Sequence, residues 1–288
     1  MSTGVRFGTT SARRSRGAFA FLVPMYDSSR LQFPIPSCQH HSQAYSTSLY
    51  RSMPSSSDED IESYDLNVSE VFIRELEAKS REIDAQTRVW LQRVVIGMNL
   101  CPFAERPMKE GKLKIEVVRG RDEQVIVSVV LQELLERVAE PGTTLVVCPD
   151  LHPTSFESFL EVVSMIDNGL IPDHQELVDT VQVAPFHPLF QFEGSDNDAV
   201  DNWTNRSPYP MFHILREDEV SKAVDLLQGD AGKVWRRNVN LLTAMEEELG
   251  TVTVEELMTG KADDASQSKL QSLLRRFRVK VSSDPSST

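Results

Sequence analysis

Three short runs of β-branched and aliphatic residues, separated by two helical patterns, constrain the fold of this chain more than any other feature. The runs cover residues 113–118, 144–148 and 180–184, and the second is apolar at almost every position, which is typical of a central strand buried on both faces. Strand, helix, strand, helix, strand with short, right-handed crossovers is typical of parallel sheets. The pattern predicts an α/β fold: a single compact domain with a small, largely parallel sheet (a βαβαβ core) covered by helices.

The helical segments between and after these runs carry their own start and stop signals. Asp122 predicts the start of the first helix, and the Pro-Gly pair at 141–142 predicts its end. Thr154 and Glu157 predict a capping box for the second helix. Residues 211–215 predict a fourth strand, whose direction the pattern does not define.

Composition divides the rest of the chain into flanking segments. Residues 1–57 contain six arginines and one acidic residue and are rich in Ser and Thr, so they predict a disordered leader that serves as a transit peptide for a mitochondrion or plastid. The alternative is a disordered arm with no targeting function, which leaves the protein in the cytoplasm. Residues 58–86 are predicted to be a helical extension, residues 87–250 the α/β domain, and residues 251–288 a helical or disordered tail.

Charge and hydropathy disfavour several classes of partner. The chain contains 30 Lys and Arg against 43 Asp and Glu, a net charge of −13, and the part after the leader is more acidic still. An acidic protein repels phosphate backbones, so nucleic-acid binding is disfavoured. No apolar run reaches the roughly 18 residues that would cross a bilayer. Three scattered cysteines, Cys38, Cys101 and Cys148, do not form a disulfide framework and fit a reducing compartment.

Residues 184–217 are the strongest candidate for a functional site. They contain His187, His213 and the hexapeptide NRSPYP at 205–210. The two prolines of the hexapeptide bracket Tyr209, fix φ and lack an N–H, which predicts a stiff irregular loop. Polar residues set so densely among prolines do not help packing, so the pattern favours a function for this loop.

Position along the sheet suggests where such a site would lie. In open parallel sheets, ligands bind beyond the carboxyl ends of the strands. The predicted strands end near Arg119, at Cys148 and before His187, so residues 148–152 and 185–187 are expected to share one rim with Arg119.

The first hypothesis is recognition of a small anionic molecule, a carboxylate or a phosphate, at this rim through the NRSPYP loop. The guanidinium of Arg206 would bind the anion, and Asn205, Ser207, Tyr209 and His213, with His187, would complete the hydrogen bonds. A structural or interaction protein without a pocket is the opposite alternative.

Two further hypotheses depend on Cys101. In one, the chain is an enzyme in which Cys101 is a thiol nucleophile and His187 or His213 its base. In the other, Cys101, His187 and His213 bind a zinc-type metal ion together with water. The sequence assigns no cofactor and no oligomeric state.

Several blocks of the chain resemble a mainly bacterial family catalogued as domain of unknown function 1415. They are NLCPF at 99–103, FHP at 186–188, NRSPYP at 205–210 and LRE at 215–217. The resemblance extends from about Thr87 to Gly250, and Arg237-Asn238 resembles one more short block. It implies a domain boundary and the importance of these blocks. It implies no reaction class, because the family has no assigned activity.

Overall fold

Residues 59–230, 232–259 and 262–277 are described by a computed structural model of the chain. The predicted leader at 1–57, with Cys38, and the end of the predicted tail at 278–288 lie outside these ranges. The described strands form one sheet in the order β1-β2-β4-β3. Their bounds are Leu113–Val117 (β1), Thr143–Val147 (β2), Val181–Phe186 (β3) and Met211–Arg216 (β4).

The pairing of these strands corrects one prediction. β1 and β2 pair in parallel, whereas β4 pairs antiparallel with both β2 and β3. The α/β class and the single compact domain are confirmed, but the prediction of a largely parallel sheet is wrong. β1, β2 and β3 all run in one direction, so their order along the chain matches a parallel pattern. The error arises because β4 inserts between β2 and β3 in the opposite direction.

Helices surround the sheet before, between and after the strands. Their bounds are Glu59–Trp90 (α1), Glu105–Lys109 (α2), Glu123–Ala139 (α3), Phe156–Met165 (α4), Ile171–Asp173 (α5), Glu217–Leu226 (α6), Gly232–Leu249 (α7), Thr251–Met258 (α8) and Asp264–Arg276 (α9). π-helical turns at Leu91–Ile96 and Ile166–Leu170 continue α1 and α4, and a 3-10 turn at Val200–Thr204 precedes β4. In the described ranges, no helix is both long enough and apolar enough to cross a membrane.

The two predicted helix caps have different outcomes. Asp122 begins α3 as predicted, because its carboxylate accepts hydrogen bonds from the N–H groups of Gln124 and Val125 at 2.9 and 3.1 Å. The capping box predicted at Thr154 is wrong by one residue. Ser155 takes the N-cap position of α4, where its hydroxyl accepts from the N–H of Ser158 at 3.2 Å.

Alternation along the strands divides the apolar core into two layers. On one face, Val146, Phe212 and Ile214 pack with α3 and α4. On the opposite face, Leu145 and Met211 pack with the end of α1 and with α7, α8 and α9. The predicted N-terminal extension is therefore continuous with the domain, since α1 runs without a break past the predicted boundary at residue 87 and buries its last turns in this second layer.

Candidate functional site

An apolar cavity of about 130 Å³ lies in the second layer, between the sheet, the end of α1 and α6. Strand residues form its floor, and helix and turn residues form its walls. The lining residues are Leu113, Thr143, Leu145, Phe186, His213 and Leu215 from the strands, Trp90, Leu91 and Val95 from α1 and its π turn, Cys101, Phe103, Ala104 and Pro107 from the following segment, and Glu219, Val220 and Ala223 from α6.

Most of the cavity floor lies away from the predicted rim. Leu113 and Thr143 begin β1 and β2, and Leu215 is near the end of the antiparallel β4, so these residues lie near the amino ends of the parallel strands. Phe186, at the carboxyl end of β3, is the lining residue that also belongs to the predicted rim. The insertion of β4 brings His213 to this face, where its ring neighbours Leu145 across the β2–β4 ladder.

A tight turn delivers Cys101 to the cavity. Asn99 adopts a positive φ of 52°, which reverses the chain after the π turn. Two residues of α7 hold this turn in place: the Asn238 amide donates to the Leu100 carbonyl at 2.8 Å, and Arg237 Nη1 donates to the Asn99 carbonyl at 3.1 Å. The NLCPF block and the Arg237-Asn238 block are therefore in direct contact.

Burial keeps the Cys101 thiol protonated. It raises the pKa of Cys101 to about 11, although hydrogen bonds from the backbone N–H groups of Phe103 and Ala104 to the sulfur act in the opposite direction. The residue is only partly accessible, and it lines the cavity. With a pKa near 11, about one thiol in 10⁴ is ionised at pH 7.

His213 is the titratable ring of the cavity floor. Its Nε2 lies 2.8 Å from Oγ1 of Thr143, and the same Oγ1 lies 2.7 Å from the carbonyl oxygen of Ile214. Burial lowers the pKa of His213 to about 4, so the ring is neutral at pH 7. Protein surrounds the ring, yet part of its surface stays accessible because it borders the cavity.

His187 lies in the other apolar layer, and both of its ring nitrogens are hydrogen-bonded. Nε2 donates to the carbonyl of His152 at 3.0 Å, and Nδ1 accepts from the N–H of Leu189 at 3.0 Å. The ring packs between Phe156 and Phe159 of α4. Burial lowers its pKa as well. These contacts give His187 a role in joining β3 to α4.

Arg206 binds its own loop. Its Nε donates to the Phe190 carbonyl at 3.2 Å, Nη2 donates to the Asn197 carbonyl, and the guanidinium lies 4.8 Å from the ring centre of Trp203. Burial lowers the pKa of Arg206, while the nearby carboxylate of Glu255 favours the charged form. The guanidinium therefore closes the loop between β3 and β4.

The other polar residues of NRSPYP are also used within the protein. The side chain of Asn205 is buried and accepts from the Thr204 hydroxyl at 3.1 Å, and the Ser207 hydroxyl donates to the Tyr209 carbonyl at 2.7 Å. The Tyr209 hydroxyl donates to the side-chain carbonyl of Gln86 on α1. Burial raises the pKa of Tyr209.

The structure thus separates the predicted residues into three places. Cys101 and His213 line the same cavity, whereas the contacts of His187 lead to α4 and those of Arg206 to Trp203 and the loop. Over residues 59–230, 232–259 and 262–277, no three His, Cys, Asp or Glu side chains lie close enough together to hold a metal ion.

Sequence reasoning missed Thr143 and Glu219. A detectable signal existed for Thr143, since it begins the strand TTLVV on the same face as Leu145 and is therefore a polar group that faces a core layer. Glu219 had no such signal, because it is one of three acidic residues in the first turn of α6.

Comparison with known proteins identifies one family. A family model described as "Protein of unknown function (DUF1415)" matches residues 82–251, more than half of the chain. The matched range contains the whole cavity and leaves α9 outside. No curated protein and no solved structure matches the chain.

Proposed function

The chain belongs to the DUF1415 family, and from this premise we propose that it binds a small, uncharged and largely apolar molecule in the cavity between the sheet, α1 and α6. The observation that carries the proposal is the composition of the cavity wall: aliphatic and aromatic side chains surround a neutral histidine, with no lysine or arginine among the lining residues.

The size of the cavity sets the size of the ligand. An engineered apolar cavity of about 150 Å³ is known to hold benzene. The cavity described here, of about 130 Å³, is therefore suited to a molecule of roughly six or seven non-hydrogen atoms. An apolar wall with a few polar atoms that fix orientation is typical of small-molecule sites.

The electrostatics of the cavity favour an uncharged ligand. Glu219 is its charged lining residue, and a carboxylate repels carboxylates and phosphates. Binding of an anion through the NRSPYP loop stays a prediction, and the hydrogen bonds of Arg206 to Phe190 and Asn197 give it no support. In any case, an anion at that loop would occupy a different place from this cavity.

The protonation states of Cys101 and His213 favour binding over thiol catalysis. A reactive cysteine needs a thiolate, usually stabilised by a neighbouring imidazolium. Here burial raises the pKa of Cys101 to about 11 and lowers the pKa of His213 to about 4, so both groups are neutral at pH 7. The thiol-enzyme hypothesis stays a prediction, and the pair as it stands supports a neutral binding site.

Toluene is the probe that tests the proposal, because it matches the cavity in size and carries no polar group. Titration into the purified protein should shift the methyl NMR signals of Leu113, Leu145 and Leu215 and give intermolecular NOEs to them. Ala223→Leu places extra carbon atoms in the cavity and should weaken these effects. Ala78→Leu makes the same change on the exposed surface of α1 and should leave them unaltered.

Two outcomes would contradict the proposal. One is the absence of toluene-induced shifts at the cavity methyl groups of the wild-type protein. The other is equal toluene binding in Ala223→Leu and wild type, since the ligand would then lie elsewhere.

A further inference from the structure

The hydroxyl of Thr143 fixes the proton on the ring of His213. A threonine hydroxyl has one hydrogen to donate and lone pairs to accept with. The carbonyl oxygen of Ile214, 2.7 Å from Thr143 Oγ1, can only accept, so the hydroxyl hydrogen is directed there. Towards His213 Nε2, at 2.8 Å, the hydroxyl must therefore act as the acceptor, and Nε2 must carry a hydrogen.

A hydrogen on Nε2 leaves Nδ1 of the neutral ring as an acceptor. Among the described residues, none donates a hydrogen bond to this nitrogen. The Cys101 sulfur, which lines the same cavity, accepts from the N–H groups of Phe103 and Ala104, and its S–H group, a weak donor, makes no hydrogen bond to His213. The Glu219 carboxylate is also an acceptor.

We propose that the cavity selects ligands that donate a hydrogen bond, such as a hydroxyl or N–H on an apolar ring, because Thr143 holds His213 with Nδ1 as an acceptor. This inference rests on the proposed function, since it names the chemical class of the same ligand. In it, Thr143 is a positioning residue and His213 is the residue that contacts the ligand. A ligand of equal size that can only accept, such as a ketone, leaves its oxygen unpaired next to Nδ1.

His213 acts here as an acceptor and not as a proton-abstracting base. Burial lowers its pKa to about 4, so the ring is a weak base inside the cavity. The ligand keeps its proton, and discrimination comes from the difference between a satisfied and an unsatisfied hydrogen-bonding group in an apolar site. That difference is large, because an unpaired polar group retains its desolvation penalty.

Phenol and toluene form the matched pair of probes, since they differ only by a hydroxyl in place of a methyl group. Each is titrated into wild type, His213→Phe, Thr143→Val and Thr143→Ser. We expect His213→Phe to lower phenol affinity at least about tenfold and to change toluene affinity much less. Thr143→Val, which removes the acceptor of Nε2–H, should also weaken phenol selectively, whereas Thr143→Ser keeps the hydroxyl and should behave as wild type.

A second measurement reads the ring directly. The ¹⁵N NMR signals of His213 in the wild-type protein should show a protonated Nε2 and an unprotonated Nδ1 at neutral pH, and the same pattern in Thr143→Ser. This measurement needs no ligand and no His213 variant, so it still tests the inference if His213→Phe fails to fold.

The outcomes separate this inference from the proposed function. If toluene binds but phenol loses no more affinity than toluene in His213→Phe and Thr143→Val, the donor selectivity is refuted and the binding cavity stands. A protonated Nδ1 in wild type also refutes it. If toluene does not bind wild type, the proposed function fails, and the selectivity, which rests on it, fails with it.

Discussion

The amide of Asn238 is the group whose loss should most clearly expose how the cavity is built. Its side chain is fully buried in α7, donates to the carbonyl of Leu100 at 2.8 Å and accepts from Arg237 Nη1 at 2.9 Å. Asn238→Ala removes both contacts. The Leu100 carbonyl then loses this donor in a buried turn, and Arg237 keeps one fewer acceptor for a guanidinium whose pKa burial already lowers to about 10.

The expected loss of stability can be estimated from these contacts. A buried polar group left unpaired costs about 1–3 kcal/mol, and a hydrogen bond to a charged group contributes about 1.5–3 kcal/mol. The two terms are not additive within one network, so we expect Asn238→Ala to lower the free energy of unfolding by about 2–4 kcal/mol. For a domain of this size, that corresponds to a fall in Tm of roughly 4–16 °C.

Urea denaturation and thermal melting of Asn238→Ala, with Asn240→Ala as the matched control, test this estimate. Asn240 lies two residues further along α7 and is exposed. Its replacement should be neutral or slightly stabilising, because Ala has a higher helix propensity than Asn. If the free energies of unfolding of Asn238→Ala and of the control differ by less than about 0.5 kcal/mol, the buried amide does not hold the turn that places Cys101 at the cavity.

Four further predictions concern single sites. Gly97→Ala should destabilise the protein in thermal melts, because a Cβ there would collide with the backbone of the preceding turn, whereas Gly169→Ala, where the space is open, should not. Iodoacetamide should alkylate Cys101 far more slowly than a model thiol at pH 8, with a rate that keeps rising above pH 9 because burial raises its pKa to about 11. Burial lowers the pKa of His213 from 6.5 to about 4, so the stability contributed by its neutral ring is present above pH 6.5 and is lost as the pH falls through 4. The free energy of unfolding from urea titrations should therefore fall less steeply with acid in His213→Phe than in wild type. Residues 1–57 fused to a fluorescent reporter should direct it to a mitochondrion or plastid, and a diffuse cytosolic signal would contradict this.

Local signals explain how much of the fold the sequence could predict. Residues 113–118, 144–148 and 180–184 each overlap an observed strand, and Asp122 caps α3, because alternation and capping depend on neighbours within a few positions. The place of β4 depends instead on ladders to β2 and β3, and no local pattern in residues 211–215 encodes which strands it joins.

The candidate site depends even more on contacts between distant parts of the chain, which local patterns do not encode. The polar side chains of NRSPYP were expected to face a ligand, yet Arg206 and Ser207 bind backbone carbonyls. Every residue has a backbone carbonyl, so the residue types in a sequence do not indicate which one a side chain will bind. Cys101 and His213 share a cavity only because the turn after α1 and the inserted strand meet on one face of the sheet. A cysteine and a histidine predict a reactive thiol or a metal site, but the neutral, buried state of these two side chains depends on that packing.

The insertion of β4 also has a consequence for the order in which the chain folds. Residues 118–142 connect β1 to β2, and residues 187–210 connect β3 to β4, so each pair closes a loop of similar length. Pairing β2 with β4 before β3 and β4 have paired requires closure across residues 148–210, which costs roughly 1 kcal/mol more in chain entropy. The β1–β2 pair and the β3–β4 pair are therefore expected to form first and to dock along the β2–β4 ladder in the last step. Thr143 and His213 face each other across that seam, so the cavity would form only when docking is complete.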